Sequence, residues 1–137
     1  DAVVERCIIG EGTEIYGRVY NSVIGAGVTI GKNAEVHDSI IMKNTEIGDN
    51  TKVNKAIIAE NCVIGFDSEL GVGEEATNVK FPKIYTDGLV TIGEGSVIPN
   101  NVRIGKNTAI SGGTTLDDYP SGQLKSGESI IKAGDLR

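Results

Sequence analysis

Aromatic side chains are nearly missing: 137 residues hold no Trp, four Tyr and two Phe. Leu is scarce as well, and Ile and Val carry most of the apolar content. An ordinary globular core leans on Leu and aromatics, whereas β-branched residues suit stacked, pleated strands. One His and two Cys, with no C-x-x-C spacing, form no metal-ligand run. Cys7 and Cys62 come without a dense cysteine framework or an export signal, so no disulfide is expected. A basic balance is lacking too: the net charge of −6 argues against nucleic acid as a partner. No apolar run approaches the roughly 18 residues of a membrane span. The chain opens at Asp1 without Met, which points to a piece of a longer protein.

What the sequence does have is period. Ile24, Ile30 and Val36 are followed by Ile41, Ile47 and Val53, and then by Ile58, Ile64 and Leu70, each set displaced by 17 residues. The unit divides as six, six and five. Ile9 and Ile15 begin the pattern, and Ile92, Ile98, Ile104 and Ile110 resume it at intervals of six. With the aliphatic residue as position one, position two is often Gly: Gly10, Gly25, Gly31, Gly48, Gly65, Gly93 and Gly105. Position four is Gly12, Gly27, Asn33, Asn44, Asn50, Asn61, Gly95, Asn101 and Asn107. Gly and Asn accept positive φ most readily, so each hexad contains a forced corner. Position five is small throughout: Thr13, Val28, Ala34, Thr45, Thr51, Cys62, Ser96, Val102 and Thr108.

One short strand and one tight corner, three times per unit, make a triangular coil. Successive coils pair at about 4.8 Å, and their aliphatic residues stack into internal ladders that no coil could bury alone. The fold expected is all-β: a single-stranded parallel solenoid, or β-helix, of hexapeptide repeats. Left-handedness is inferred from other hexapeptide proteins, against the usual right-handed crossover. Cys62 falls in the small inward column, and Cys7 likewise stands two residues before Ile9, so both read as buried structural thiols. Opposite charges recur one unit apart, as Lys32 with Asp49, Lys43 with Glu60, and Asp38 with Lys55, and these are expected to pair across coils.

The repeat is expected to run over 7–70 and 89–110, within one domain covering 1–137. Between them, 71–88 breaks the pattern with Phe81-Pro82 and Tyr85, as a loop leaving and rejoining the solenoid. The segment 111–137, with an apparent strand at Glu128–Ala133, is expected to cap the exposed end or to offer an edge to a partner subunit.

Candidate chemistry is sparse. The G-x-G triplets at Gly10, Gly25 and Gly93 lack the third glycine of a dinucleotide fingerprint, having Ile15, Ile30 and Ile98 in its place. His37 is the only histidine. Many hexapeptide β-helices are acyltransferases with a His base, and Asp38 beside it could activate the ring, yet no Ser or second His accompanies it. No catalytic, cofactor-binding or metal-binding residue is assigned.

The wording of the repeats carries a resemblance. Tyr20-Asn21-Ser22-Val23-Ile24-Gly25, Asp38-Ser39-Ile40-Ile41-Met42, Ala56-Ile57-Ile58-Ala59-Glu60-Asn61, Gly88-Leu89-Val90-Thr91-Ile92-Gly93 and the ending Ser126-Gly127-Glu128-Ser129-Ile130-Ile131-Lys132-Ala133-Gly134 resemble the C-terminal domain of glucose-1-phosphate adenylyltransferases (ADP-glucose pyrophosphorylases). The resemblance implies a parent enzyme with an N-terminal nucleotidyltransferase domain, absent here, that makes ADP-glucose from ATP and glucose 1-phosphate with Mg²⁺ for glycogen synthesis. It further implies a cytoplasmic protein whose β-helix packs on its own catalytic domain, assists a homo- or hetero-tetramer and helps form an allosteric site, while the fragment alone is inactive. Positions matching activator-binding lysines of plant relatives hold Glu60 and Glu94 here. The other cations considered for an anionic effector are Arg18, Lys80, Lys83 and Arg103. Alternatives are a hexapeptide acyltransferase, or the tail of another sugar-phosphate nucleotidyltransferase such as a mannose-1-phosphate guanylyltransferase.

Overall fold

The structure, a computed structural model, describes residues 2–84, 86–119 and 121–131. Asp1, Tyr85, Pro120 and the part of the expected terminal strand beyond Ile131 lie outside the described residues. The described chain is a left-handed parallel β-helix with three walls, two of seven strands and one of five. It contains no α-helix, and its one helical turn is a 3-10 turn at Leu116–Asp118.

Each wall is built on one of the ladders read from the sequence. The first stacks Val4, Val19, Val36, Val53, Leu70, Ile104 and Leu124. The second stacks Ile9, Ile24, Ile41, Ile58, Ile92, Ile110 and Ile130. The third stacks Ile15, Ile30, Ile47, Ile64 and Ile98. Away from the ends these side chains are sealed, each at 0–3% exposure from Val19 to Ile110. Burial of each aliphatic side chain is worth about 1.5–3 kcal/mol, and only the neighbouring coils supply it.

Two glycine and asparagine columns serve different ends. All nine position-four residues have positive φ, from 56° at Asn107 to 70° at Gly12 and Gly95. Position two instead answers to crowding. A Cβ at Gly10 would stand 2.6 Å from the Ala26 nitrogen, and one at Gly48 the same distance from the Phe66 nitrogen. Where the small column at position five holds Thr45, Thr51 or Ser68, the hydroxyl bridges successive coils. Thr45 donates to the Ala59 carbonyl at 2.9 Å and accepts the Cys62 N–H at 3.2 Å. Thr51 and Ser68 repeat the arrangement one corner on.

The ladder continues past Ile110, where the sequence suggested a tail. Gln123–Leu124 and Ser129–Ile130 add two rungs, Ile104 pairing with Leu124 and Ile110 with Ile130. Both offsets are 20 residues, so the 17-residue register conceals them. The third wall ends at Val97–Ile98. There the Val97 N–H reaches the Thr114 carbonyl at 2.8 Å, and Thr114 shares a 3.0 Å hydrogen bond with the buried Tyr119 hydroxyl. Among the described residues between Leu70 and Val90 no strand forms, and Ile58 pairs across that gap with Ile92.

Candidate functional site

The solenoid sorts its outward residues by wall. On the first wall the outward row reads Arg18, Glu35, Lys52, Glu69 and Arg103, in register and alternating in sign. On the second it reads Ile8, Val23, Ile40, Ile57, Thr91 and Ala109, with no charge at all.

His37 sits on the first wall, half-exposed and stacked on Tyr20 with ring centroids 4.8 Å apart. Its Nε2 lies 3.3 Å from Glu35 Oε1. Asp38, the neighbour expected to activate it, turns its carboxylate to the Asn21 amide at 2.7 Å. Strand alternation explains the exchange: residues two apart share a face, and residues one apart do not. Among the described residues no hydroxyl or thiol hydrogen bonds to the His37 ring, the Ser39 hydroxyl donating instead to the His37 backbone carbonyl at 2.8 Å, and the ring is held between an aromatic and a carboxylate.

One of the three expected charge pairs forms. Lys43 Nζ lies 3.4 Å from Glu60 Oε2. Asp49 instead accepts the Lys32 backbone N–H at 2.9 Å, because a corner leaves that donor unpaired by the ladder. Lys55 reaches the Asp87 carbonyl at 3.3 Å rather than Asp38. Glu60 and Glu94 occupy one corner on adjacent coils, the Glu60 carbonyl accepting the Gly95 N–H at 3.0 Å. Two carboxylates against one ammonium disfavour an anion there.

The four cations considered for an effector are not brought together. Arg18 and Arg103 lie on the same wall, four rungs apart along the row, roughly 19 Å at the usual strand spacing. Lys80 and Lys83 are exposed on the excursion. Arg103 does line a recess with Glu74, Gln123, Lys125 and Ser126. Lys125 is a cation the sequence reading missed, because it lies in what read as tail. The glycines of the G-x-G triplets are coil corners. Among the described residues no cluster of three His, Cys, Asp or Glu could hold a metal ion.

Cys62 is fully buried and donates to the Gly93 carbonyl at 3.2 Å, and burial pushes its thiol pKa up. Cys7 lies at a different corner, between the first and second walls, and is only partly covered; both thiols are free. The excursion is pinned by two buried asparagines. Asn78 donates to the Asn107 carbonyl at 2.8 Å and the Ser129 hydroxyl at 3.1 Å, and its Oδ1 accepts the Lys80 and Phe81 N–H groups. Asn107 in turn takes the Gly88 N–H at 2.8 Å and donates to the Ala76 carbonyl at 3.0 Å. The only sequence sign of this clamp is Asn78 itself, a polar residue in a loop.

The coil geometry defines a hexapeptide-repeat protein, and the chain belongs to the family described as GlmU-like, C-terminal hexapeptide, which matches residues 1–92. Its similarity to individual proteins is more particular. It is 73% identical over 98% of its length to the glucose-1-phosphate adenylyltransferase of Lachnospira eligens, covering 32% of that protein. The enzymes of that name from Thermotoga neapolitana and Acetivibrio thermocellus are 55% and 39% identical, over 96% of this chain and 31% of theirs. The chain thus spans about a third of the length of these relatives, in their C-terminal part. A solved acetyltransferase domain of PglB from Neisseria gonorrhoeae overlaps with a TM-score of 0.37 at 19% identity, covering 96% of this chain and 46% of that one, too loose a fit to bear on function. Among the described residues no helix is long and apolar enough to cross a membrane.

Proposed function

We propose that this chain is the C-terminal structural, assembly and regulatory domain of an enzyme that makes ADP-glucose from ATP and glucose 1-phosphate in glycogen synthesis. The observation that carries the reading is 73% identity to a glucose-1-phosphate adenylyltransferase across nearly every residue, irregular coils and excursion included. In this reading the nucleotide, the sugar phosphate and Mg²⁺ are handled by a preceding nucleotidyltransferase domain. The β-helix packs on that domain in a cytoplasmic tetramer and supplies no reacting group. Its stacked ladders, fixed over seven rungs of two walls, give a rigid strut on which a catalytic domain can be oriented.

The direct test is the full-length gene product supplied with ATP, glucose 1-phosphate and Mg²⁺. Formation of ADP-glucose and pyrophosphate is expected, with none from this chain alone. A full-length protein that makes no ADP-glucose but transfers an acetyl group from acetyl-CoA would sink the reading and install the acyltransferase alternative.

A further inference from the structure

The last rung of the solenoid is short of neighbours. Gln123–Leu124 extends the first wall and Ser129–Ile130 the second, but the third wall stops at Val97–Ile98. A coil in a stack is held mainly by the coils on either side of it. Among the described residues this rung has a coil below it and none above. Its carbonyls nonetheless close the coil beneath. The N–H groups of Arg103, Gly105, Ala109 and Ser111 donate to the carbonyls of Gly122, Leu124, Glu128 and Ile130 at 2.7–3.4 Å.

What the rung lacks in stacking it takes from the excursion, as much as 51 residues earlier in the chain. The Val79 N–H donates to the Gly127 carbonyl at 2.9 Å. Asn78, at 1% exposure, donates to the Ser129 hydroxyl at 3.1 Å and, through the same amide nitrogen, to the Asn107 carbonyl at 2.8 Å. One side-chain amide thus joins the excursion, the coil beneath and the rung. Gly127 turns with a φ of 82° directly against the excursion, and a Cβ there would collide with the Thr77 carbonyl. Two recesses run along the same seam. Residues 72–74 line one with residues 123–126, and Phe81 lines the other with Ile131. For its part the excursion adds little to the core: its apolar Val79 and Ile84 are 83% and 66% exposed.

Segments that share their buried hydrogen bonds open together rather than one at a time. We infer that the excursion is a strap latched over the terminal rung, and that strap and rung open and close as one unit while the coils beneath stay folded. Released, the unit leaves Arg103–Ile104 and Thr108–Ile110 as the unpaired edge of two walls, a template on which another strand can add. The latch keeps that edge shut. It also gives the buried Asn78 a task that closing a loop does not require.

Native-state hydrogen exchange of the full-length protein in sub-denaturing urea reads the unit without a substitution. The amides of Val79, Lys80 and Phe81 report the strap, and those of Arg103, Gly105, Ala109 and Ser111 report the rung. The two groups are expected to converge on one opening equilibrium with one dependence on urea. Glu46 and Gly48, bonded to the next coil in the middle of the stack, should stay about tenfold better protected or more. Groups that stay apart up to global unfolding would overturn the inference. In a second arm, Asn78→Ala is expected to speed exchange in both groups by the same factor, about tenfold or more. Unchanged Glu46 and Gly48 then show the coils still folded. Gly127→Ala, placed in the rung, is expected to speed exchange of the strap amides in return. Faster exchange confined to residues 79–81 in Asn78→Ala, with residues 103–111 as in wild type, leaves the excursion a simple loop and removes the latch. Loss of protection at Glu46 and Gly48 as well makes the strap part of the whole fold, and equally removes it.

Discussion

The first and second walls share one backbone and one parallel register, and they differ only in what they turn outward. On the first, Arg18, Glu35, Lys52, Glu69 and Arg103 alternate in sign from coil to coil. A slip by one coil would set like charges side by side, so the row penalises misregister while keeping the wall wetted. On the second, Ile8, Val23, Ile40 and Ile57 are interchangeable in kind, and nothing outward distinguishes one register from the next. There the inward ladder and the positive-φ corners must fix register alone. Interior residues therefore decide that a coil forms, and exterior residues decide what each wall can meet.

Adjacent residues on one strand give the largest test of that division. Ile41 is 1% exposed and Ile40 is 40% exposed. Ile41→Ala leaves a cavity between coils that cannot collapse without moving both, and a loss of about 2–5 kcal/mol is expected. Ile40→Ala is expected to stay within about 0.5 kcal/mol in this chain. Urea unfolding of both variants measures the difference. Comparable losses would show that the outward row is structural after all.

The second effect concerns the excursion, whose Phe81 lines a recess with Thr91 and Ala109 of the second wall. Asn78→Ala removes the acceptor for two backbone N–H groups, of Lys80 and Phe81, and the donor to Asn107 and Ser129. Each group left unsatisfied while buried costs about 1–3 kcal/mol, so the excursion should detach locally. Faster tryptic cleavage after Lys80 is expected, with the lower coils unaffected. Unchanged cleavage would mean that Phe81, not the asparagine, holds the loop.

What the sequence disclosed and withheld follows from these contacts. Ladders and position-four corners were legible because Ile, Gly and Asn are the residue types their geometry demands. The corner of the five-residue side was not. Arg6, Asp38 and Lys55 adopt φ of 52° there, a conformation for which Arg and Lys give no signal. The Gln123–Leu124 rung, and the pairing of the expected terminal strand with the second wall, were hidden by a changed period, and the Asn78 clamp by partners 29 and 51 residues away. Asp49 departs from the ion pair expected with Lys32 because an unpaired backbone N–H, that of Lys32 itself, lies within its reach at 2.9 Å. The apolar outward row was visible all along as the residue before each second-wall ladder position. The inward period carries no information about that alternate face.

The closed end of the third wall supplies a pH test. Burial, ahead of the opposing Thr114 hydrogen bond, raises the Tyr119 pKa from 10.0 to about 12. The neutral phenol is thus the form the fold favours. Its contribution is fully present below pH 10 and is lost as pH climbs through about 12. Wild-type protein should lose stability over that window by more than Tyr119→Phe does, as read by unfolding midpoints at pH 9, 10.5 and 12. Parallel curves would place the phenol in solvent.

The smallest expected effect addresses the charged wall itself. Glu35 stands between Arg18 and Lys52 in register, yet among the described residues neither cation closes to within 4 Å of it; the ring of His37 does, at 3.3 Å. The row acts through water at a distance, where two unit charges at 4 Å are worth only about 1 kcal/mol and less when farther apart. Glu35→Lys converts two attractions into two repulsions, and a destabilisation of about 0.2–1 kcal/mol is expected at low salt. Because these charges are exposed, screening with a Debye length of about 3 Å should erase most of the difference in 1 M salt. A loss that persists in high salt would point to a contact tighter than a solvated row, and with it to a first wall that is packed rather than wetted. On the second wall Val23→Lys should show no comparable salt dependence in this chain, since its in-register neighbours Ile8 and Ile40 carry no charge for a lysine to meet.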